Sequence, residues 1–572
     1  MDAATSRRSS QATGSASSGA TPRRAVLRLH SRIGLLGMLL LALLALKLNT
    51  SGLSWGMPAV VSWAPDSIAG TRTLYTLGKW PDRWPGRYPP FHFLVNQLAY
   101  WPVLSHWASQ GLMVADPAND EIILAPPVAP KVAVLIMLSR VITVMMSVGT
   151  VLILALAAEA LFGDGLAGLL AGLTVATCAE WVFFSHLGTV DIPHMFWFAL
   201  SFYVYVRAWR HPAMRHFVML GVFTALSTST KDSVAGAYVG IAAVLAVAQV
   251  MRARSTGRSA TGSLLAFAKP KMLFGLTAFA IPYVIIQGIW TNPEGYLGRL
   301  RYFLGGPGIT DFNQAYEGPL WLAGEALAES ATALGWPMVV VMAIATVYGL
   351  LRWRRQALVV IVPAAAYYLI VPTYTHLVYA RILFPVFLCL ALLVGGAGAD
   401  WLRWRRVPVA LRVAPVILLF ATSIGYCVAV DLEMMHDTRN RAQRWIAENT
   451  EPGAPVGVFS HPQYLPYFPP EAGRVAVRLE MAPETFGHEI PIHLLLTSHN
   501  YQDFDTMQQE CLSDLLAGRF GYTPVAWFTK GYLPPRKRWF SIAGWGTRGA
   551  GKVSPDITIL LRVGRNQLNP LE

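Results

Sequence analysis

IGLLGMLLLALLALKLNT (residues 33–50) holds a single charged side chain, Lys47, in an otherwise apolar run. A bilayer core of roughly 30 Å takes about 20 apolar residues at about 1.5 Å rise each, so this stretch is long enough to cross one. Runs of that kind recur between Ile33 and Val430 and then stop. The whole chain follows the same reading: of 572 residues, 54% are hydrophobic and only 14% charged, which excludes an ordinary soluble enzyme.

About eleven spans are expected, near 33–50, 131–155, 165–183, 192–208, 216–231, 233–250, 272–290, 332–351, 357–371, 380–398 and 410–430. The fold class is therefore a polytopic α-helical membrane protein. The formal charge of +14 sits in short clusters between the spans: RRAVLRLHSR (23–32), VRAWRHPAMRH (206–216), MRARSTGRS (251–259) with KPK (269–271), RWRRQ (352–356) and WLRWRRVPVALR (401–412). All of these fall on one side if the spans alternate, and the positive-inside rule makes that side cytoplasmic. No nucleic-acid recognition motif accompanies them, so no nucleic acid is expected as a partner. The N-terminus is then inside and the tail after Val430 outside. Three parts are expected: a disordered basic leader over 1–30, a membrane domain over 31–430, and an extracytoplasmic α/β domain over 431–572. Cys178, Cys389 and Cys427 lie in apolar runs and Cys511 stands alone in the tail, so no disulfide framework is expected.

The outer segments hold the unusual polar residues. SWAPDSIAG (62–70) carries Asp66, the first acid beyond the first span. It reads equally as a helix N-cap or as a carboxylate facing a pocket. Asp191 in HLGTVDIPH precedes a helix with Pro193 near its start, which suits a cap. Lys231 and Asp232 in STSTKDS could snorkel and cap, and Arg381 in THLVYARILFPVF lies just inside a span. Charges beside a bilayer are costly, and two acids with two cations at outer helix ends form a constellation. Acids accept a proton from an attacking hydroxyl, while Lys and Arg stabilise a phosphate as negative charge builds on it. His186, His194, His376 and Asp66 match no compact metal motif, although a divalent metal is not ruled out by spacing. Walker A, Rossmann and GxSxG signatures are absent from the sequence.

In order along the chain, WAPDS (63–67), RYPPFHFL (87–94), TVDIP (189–193), STSTKDS (227–233), YARILFPVF (379–387) and DTRNRAQRWIAENTEPGAPV (437–456) resemble the motifs of the GT-C superfamily of polyprenyl-phosphate-sugar-dependent glycosyltransferases. The likeness is greatest to the bacterial relatives of protein mannosyltransferases and to aminoarabinose transferases. Ser67 stands where that family usually has Glu, so the second acid's role, including help with a metal, is not carried over. The resemblance implies an inverting glycosyltransferase in the plasma membrane of a bacterium. It would take a polyprenyl-phosphate-linked sugar donor, surrounded by membrane lipids, and an extracytoplasmic glycan, lipid or protein acceptor. It further implies that Asp66 is the general base, that Asp191 shapes the site, and that Lys231 and Arg381 hold the departing phosphate. Tyr88, His92 and His194 would line the substrate's path. A transporter or flippase of lipid-linked sugars is the competing class; it would place ionisable groups deep in several spans.

Overall fold

The computed structural model describes residues 28–563 apart from 30, 59–62, 65, 85–86, 117–120, 256–269, 306–315, 469–474, 488–489, 499–503, 533–549 and 551–552. Most of the expected leader, residues 1–27, lies outside the described residues. The helices are α1 (Arg32–Thr50), α2 (Thr71–Tyr75), α3 (Phe91–Ser109), α4 (Val128–Phe162), α5 (Gly165–Ala176), α6 (Ala179–Ser185), α7 (Asp191–Arg210), α8 (Met214–Thr228), α9 (Ala235–Ser255), α10 (Pro270–Gln287), α11 (Pro293–Leu304), α12 (Pro319–Leu334), α13 (Trp336–Arg352), α14 (Arg354–Thr375), α15 (Phe384–Leu402), α16 (Val409–Met435), α17 (Thr438–Asn449) and α18 (Thr506–Leu516).

Among the described residues, seven helical segments are long and apolar enough to cross a membrane, or up to nine if each bent pair counts as one span. The bent pairs are α5 with α6, turned by 68°, and α12 with α13, turned by 116°. Gly335 makes the sharper corner at φ +77°, a left-handed conformation that a side chain disfavours, and Pro337 starts the next helix. Every expected span falls on a helix or a bent pair. The two near 192–208 and 216–231 are helical as α7 and α8 but are not among the nine. The first carries Asp191, His194, Arg207 and Arg210, and the second is only 15 residues long. The chain is an integral-membrane protein.

One apolar core runs through the bundle, from Leu41 of α1 through Phe198 and Phe202 of α7 to Phe384 and Leu392 of α15. Lipid-facing helices keep large apolar side chains outward, as Leu39 and Leu40 do at 55% and 58% exposure. In α3, polar His92, Asn96 and Tyr100 turn inward while Leu98 and Trp101 face out, the pattern of a helix against lipid rather than water.

A strand pair, β1 (Met113–Asp116) with β2 (Glu121–Leu124), follows α3. The tail builds a five-stranded sheet from β3 (Val456–Val458), β4 (Ala476–Arg478), β5 (His493–Thr497), β6 (Tyr522–Phe528) and β7 (Ile557–Arg562), in the order β4-β3-β5-β7-β6. β3 runs parallel to β4 and β5, whereas β7 is antiparallel to β5 and β6. The strands lie on VGVF (456–459), VAVRL (475–479), IHLLLTS (492–498), PVAWF (524–528) and ITILLRV (557–563), and with α17 and α18 they make the tail α/β. The tail is tied to the bundle through backbone N–H donors: Ala550 to Glu180, and Gly531 and Tyr532 to Glu433.

Candidate active site

Four short segments bring the acids and cations together. Asp66 follows α1, Asp191 opens α7, Lys231 links α8 to the turn before α9, and Arg381 sits in a single 3₁₀ turn just ahead of α15. The Arg381 guanidinium donates to Asp66 Oδ2 at 2.5 Å and lies 3.7 Å from Asp191 Oδ2. Lys231 Nζ donates to Asp191 Oδ1 at 2.6 Å. The result is a chain of alternating charge, Asp66–Arg381–Asp191–Lys231.

This arrangement decides between the readings left open by sequence. Asp66 is not a helix cap: α2 begins at Thr71 behind Gly70, with no side-chain cap. Asp191 is not one either, since Val190 caps α7 and the Asp191 carboxylate turns to the two cations. Lys231 turns inward to Asp191 rather than snorkelling. Exposure separates the two acids. The Asp66 side chain is 35% exposed and Asp191 3%, so only the first has room to meet an incoming hydroxyl.

Backbone approach fixes this geometry. Ile68 N–H donates to the Gly188 carbonyl at 2.8 Å, and the Ser67 hydroxyl donates to the same oxygen at 3.3 Å. The residue at the family's second acidic position therefore ties the Asp66 loop to the Asp191 loop. A Cβ on Gly188 would meet the Ala69 Cβ at 2.4 Å, so the loops touch only because this residue has no side chain. Gly188→Ala should cost about 1–3 kcal/mol of stability through overpacking. Its larger effect should be on the sugar transfer that the resemblance implies, because a shift of about 1 Å between groups that act together in a reaction costs on the order of 100-fold in rate. Denaturation and transfer assays on the same preparation check this; a parallel small loss in both would contradict it. On the far side, Gly70 N–H donates to the Tyr100 hydroxyl, which shares a 2.5 Å hydrogen bond with Ser139 of α4.

Tyr88 is half-buried among Ile68, Trp84 and Val190. Burial first, then the negative charge of Asp66, push its hydroxyl pKa well up, so it stays protonated. His92 and His194 both lie inside the protein, and His194 is close enough to Asp191 and Lys231 to interact with their charges. Both are fully enclosed; His194 Nδ1 meets the Val190 carbonyl at 2.9 Å, and neither ring nitrogen of His92 has a hydrogen-bond partner. Burial pushes the His92 pKa down to about 3, so the ring is neutral.

Sequence reading missed a second ion pair beside the first. Arg299 of α11 donates to Asp232 at 2.9 Å and also to Gln287. Asp232 adjoins Lys231, so this pair ties an outer helix to the segment carrying that lysine. Glu329 of α12 was also missed; it accepts from the Ala380 N–H at 2.9 Å and steadies the turn that carries Arg381. Neither has a local motif. Among the described residues, no group of three or more His, Cys, Asp or Glu side chains is placed to hold a metal ion. His186 contacts the Ser51 carbonyl and His376 stacks on Tyr316, away from one another's partners. Asp66 and Asp191 meet on a guanidinium, which is not a metal donor set.

Residues 134–270 match the dolichyl-phosphate-mannose-protein mannosyltransferase family. This match takes in Asp191 and Lys231, and it bears out the glycosyltransferase class expected from the order of motifs. No curated protein matches by sequence. Similar solved structures include the Archaeoglobus fulgidus oligosaccharyltransferase in its apo form, at 13% identity and TM-score 0.43 over 89% of this chain and 75% of that one. Another is ArnT from Cupriavidus metallidurans bound to undecaprenyl phosphate, at 12% identity and TM-score 0.42 over 94% of this chain and 99% of that one. A third is the S. cerevisiae protein O-mannosyltransferase Pmt1–Pmt2 complex bound to its sugar donor, at 18% identity and TM-score 0.32 over 49% of this chain and 36% of that one. At these scores no residue role is carried over from them.

Proposed function

We propose that the protein transfers a sugar from a polyprenyl-phosphate donor to an extracytoplasmic acceptor with inversion, using Asp66 as general base. The observation that carries this reading is the convergence of Asp66 and Asp191 on Arg381, with Lys231 on Asp191. Asp66 takes the proton of the acceptor hydroxyl as its oxygen attacks the anomeric carbon. The bond from that carbon to the phosphate oxygen breaks, and its electron pair leaves with polyprenyl phosphate. Lys231 and Arg381 neutralise that oxygen as charge builds on it. Asp191, enclosed by both cations, holds them in place.

The resting Asp66–Arg381 pair has a consequence for timing. A carboxylate bonded to a guanidinium is a weak base. A donor phosphate that engages Arg381 and Lys231 competes for that guanidinium and loosens Asp66, so base strength rises when the donor is bound. The prenyl tail has a place near this point. A cavity of about 530 Å³ between α8, α9 and α10 is lined by apolar side chains including Leu220, Ile241 and Met272. Thr224 and Tyr238 also line it, each seven residues along the chain from Lys231.

Transfer of radiolabelled sugar from a panel of synthetic polyprenyl-phosphate sugars, by the full chain in lipid, tests the reaction class. Release of free polyprenyl phosphate with a labelled acceptor is expected. Passage of intact lipid-linked sugar across the bilayer without cleavage would overturn it. Lys231→Met should weaken donor binding by about 10- to 100-fold, the value of one charge-assisted hydrogen bond to phosphate. Arg381 stays within reach of Asp191 in that variant, so the bundle should still fold. Unchanged donor affinity would remove Lys231 from the phosphate site.

A further inference from the structure

The two ends of α15 are unlike. Arg381 precedes one end, in the candidate active site, and Asp400 with Arg403 marks the other, about 28 Å of helix away. At that far end a cavity of about 910 Å³ opens between α13, α15 and α16. Its depth is apolar, with Ala345, Ala397, Leu419 and Phe420 on its walls. Two further lining residues, Ile344 and Leu418, are 62% and 66% exposed. In a membrane protein those side chains face hydrocarbon, so the cleft opens sideways into the bilayer.

Its mouth has different chemistry. Tyr348, Arg352, Asp400, Trp401, Arg403 and Trp404 line it. Tyr348 donates to Asp400 at 3.1 Å, the Trp401 indole donates to the Arg412 carbonyl at 2.9 Å, and Arg403 makes a two-bonded pair with Asp164. Both carboxylates of the neighbourhood are thus already engaged within the protein. Arg354, Arg355, Arg405 and Arg406 stand beside the mouth, and all four are exposed, as is Arg352. The balance is strongly positive, at the depth where tryptophan side chains mark the edge of the hydrocarbon.

We infer that this cleft is a binding site for an anionic phospholipid of the leaflet facing the basic clusters, with an acyl chain between α13 and α16 and the head group on Arg352 and its neighbours. Charge complementarity selects this occupant over a neutral lipid: near a membrane surface each basic residue contributes about fivefold in affinity for acidic lipid. The apolar depth selects a lipid over free phosphate, which would gain nothing from Leu419 or Phe420. The site lies a bilayer's thickness from the reacting groups, so its occupant is not the sugar donor in its reactive position. α16 borders the cavity and leads through His436 and Asp437 into α17 of the tail.

The full chain, purified in neutral detergent, is mixed with phosphatidylglycerol, phosphatidylcholine or inorganic phosphate and followed by native mass spectrometry and thermal denaturation. One phosphatidylglycerol per chain should be retained and should raise the midpoint, whereas phosphatidylcholine and inorganic phosphate should do neither. Ala397→Phe fills the cleft and should weaken phosphatidylglycerol retention at least tenfold. Arg352→Gln, on an exposed side chain, should lower the preference for phosphatidylglycerol over phosphatidylcholine by about fivefold. Equal retention of the two lipids, or a preference unchanged in Arg352→Gln, would overturn the proposal. So would a dimer that Ala397→Phe dissociates, because the cleft would then be occupied by a second copy. None of these readings depends on sugar transfer, so the lipid site and the proposed reaction fail or stand separately.

Discussion

Asp66→Asn should lower sugar transfer by two to four orders of magnitude while leaving donor affinity within about threefold. The size follows from the role: a positioned general base contributes that much when it removes a proton in the transition state, and an amide of the same shape cannot. The substitution is also mild toward the fold. Asparagine keeps an oxygen for the Arg381 guanidinium, now 2.5 Å from the carboxylate, and the side chain is 35% exposed, so no buried charge is stranded. Asp191→Asn should behave differently. That carboxylate is bonded to Lys231 and lies near Arg381, so losing its charge releases two cations and should raise the KM for donor as well as lowering kcat. Steady-state kinetics on both variants separate the roles. If Asp66→Asn retained full transfer in folded protein and Asp191→Asn abolished it, the base would be Asp191, and the exposure argument that chose between them would be wrong.

The division between what could and could not be read from sequence has a physical basis. Apolar length marks a span without reference to any partner, so nine of the eleven expected spans fall on helices or bent pairs long and apolar enough to cross a membrane, and the other two on α7 and α8. Asp66, Asp191, Lys231 and Arg381 were visible because charges at helix ends beside a bilayer are rare and costly. Their connectivity was not visible, since 315 residues separate the Asp66–Arg381 pair. Local reasoning offered capping for both acids, a plausible use for any Asp before a helix, and only tertiary contact removes it. His92 and His194 lie in or beside the quoted motifs, and helix phase turns both away from solvent, a burial that the motifs do not announce. Gly188 is the least legible of all. Nothing in HLGTVDIP announces that a second loop rests on that glycine, although the relative position of the two acids depends on it.

Arg439→Met should destabilise the protein by about 3–5 kcal/mol. Arg439 and Asp437 are both fully enclosed, paired at 2.7 Å, and the guanidinium carbon lies over the Trp63 ring, 3.9 Å from its centroid, and 5.2 Å from that of Trp55. Removing the cation leaves a buried carboxylate whose remaining donors are the Trp55 indole and the Arg439 and Ser554 backbone N–H groups. Those donors should hold the cost toward the lower end of the range. The same contact explains why a tryptophan stands three residues before the proposed base. Trp63 is clamped against a guanidinium that belongs to the first turn of α17, so the tail supplies the platform from which Asp66 reaches Arg381. Arg439→Lys keeps the charge but not the planar stacking surface, and it should recover more stability than transfer. Denaturant midpoints and transfer rates on the two variants check this. Equal recovery of both by lysine would mean that the pair only anchors the tail, whereas a transfer deficit that persists in stable protein would make the stacked Trp63–Arg439 contact part of how the base is positioned.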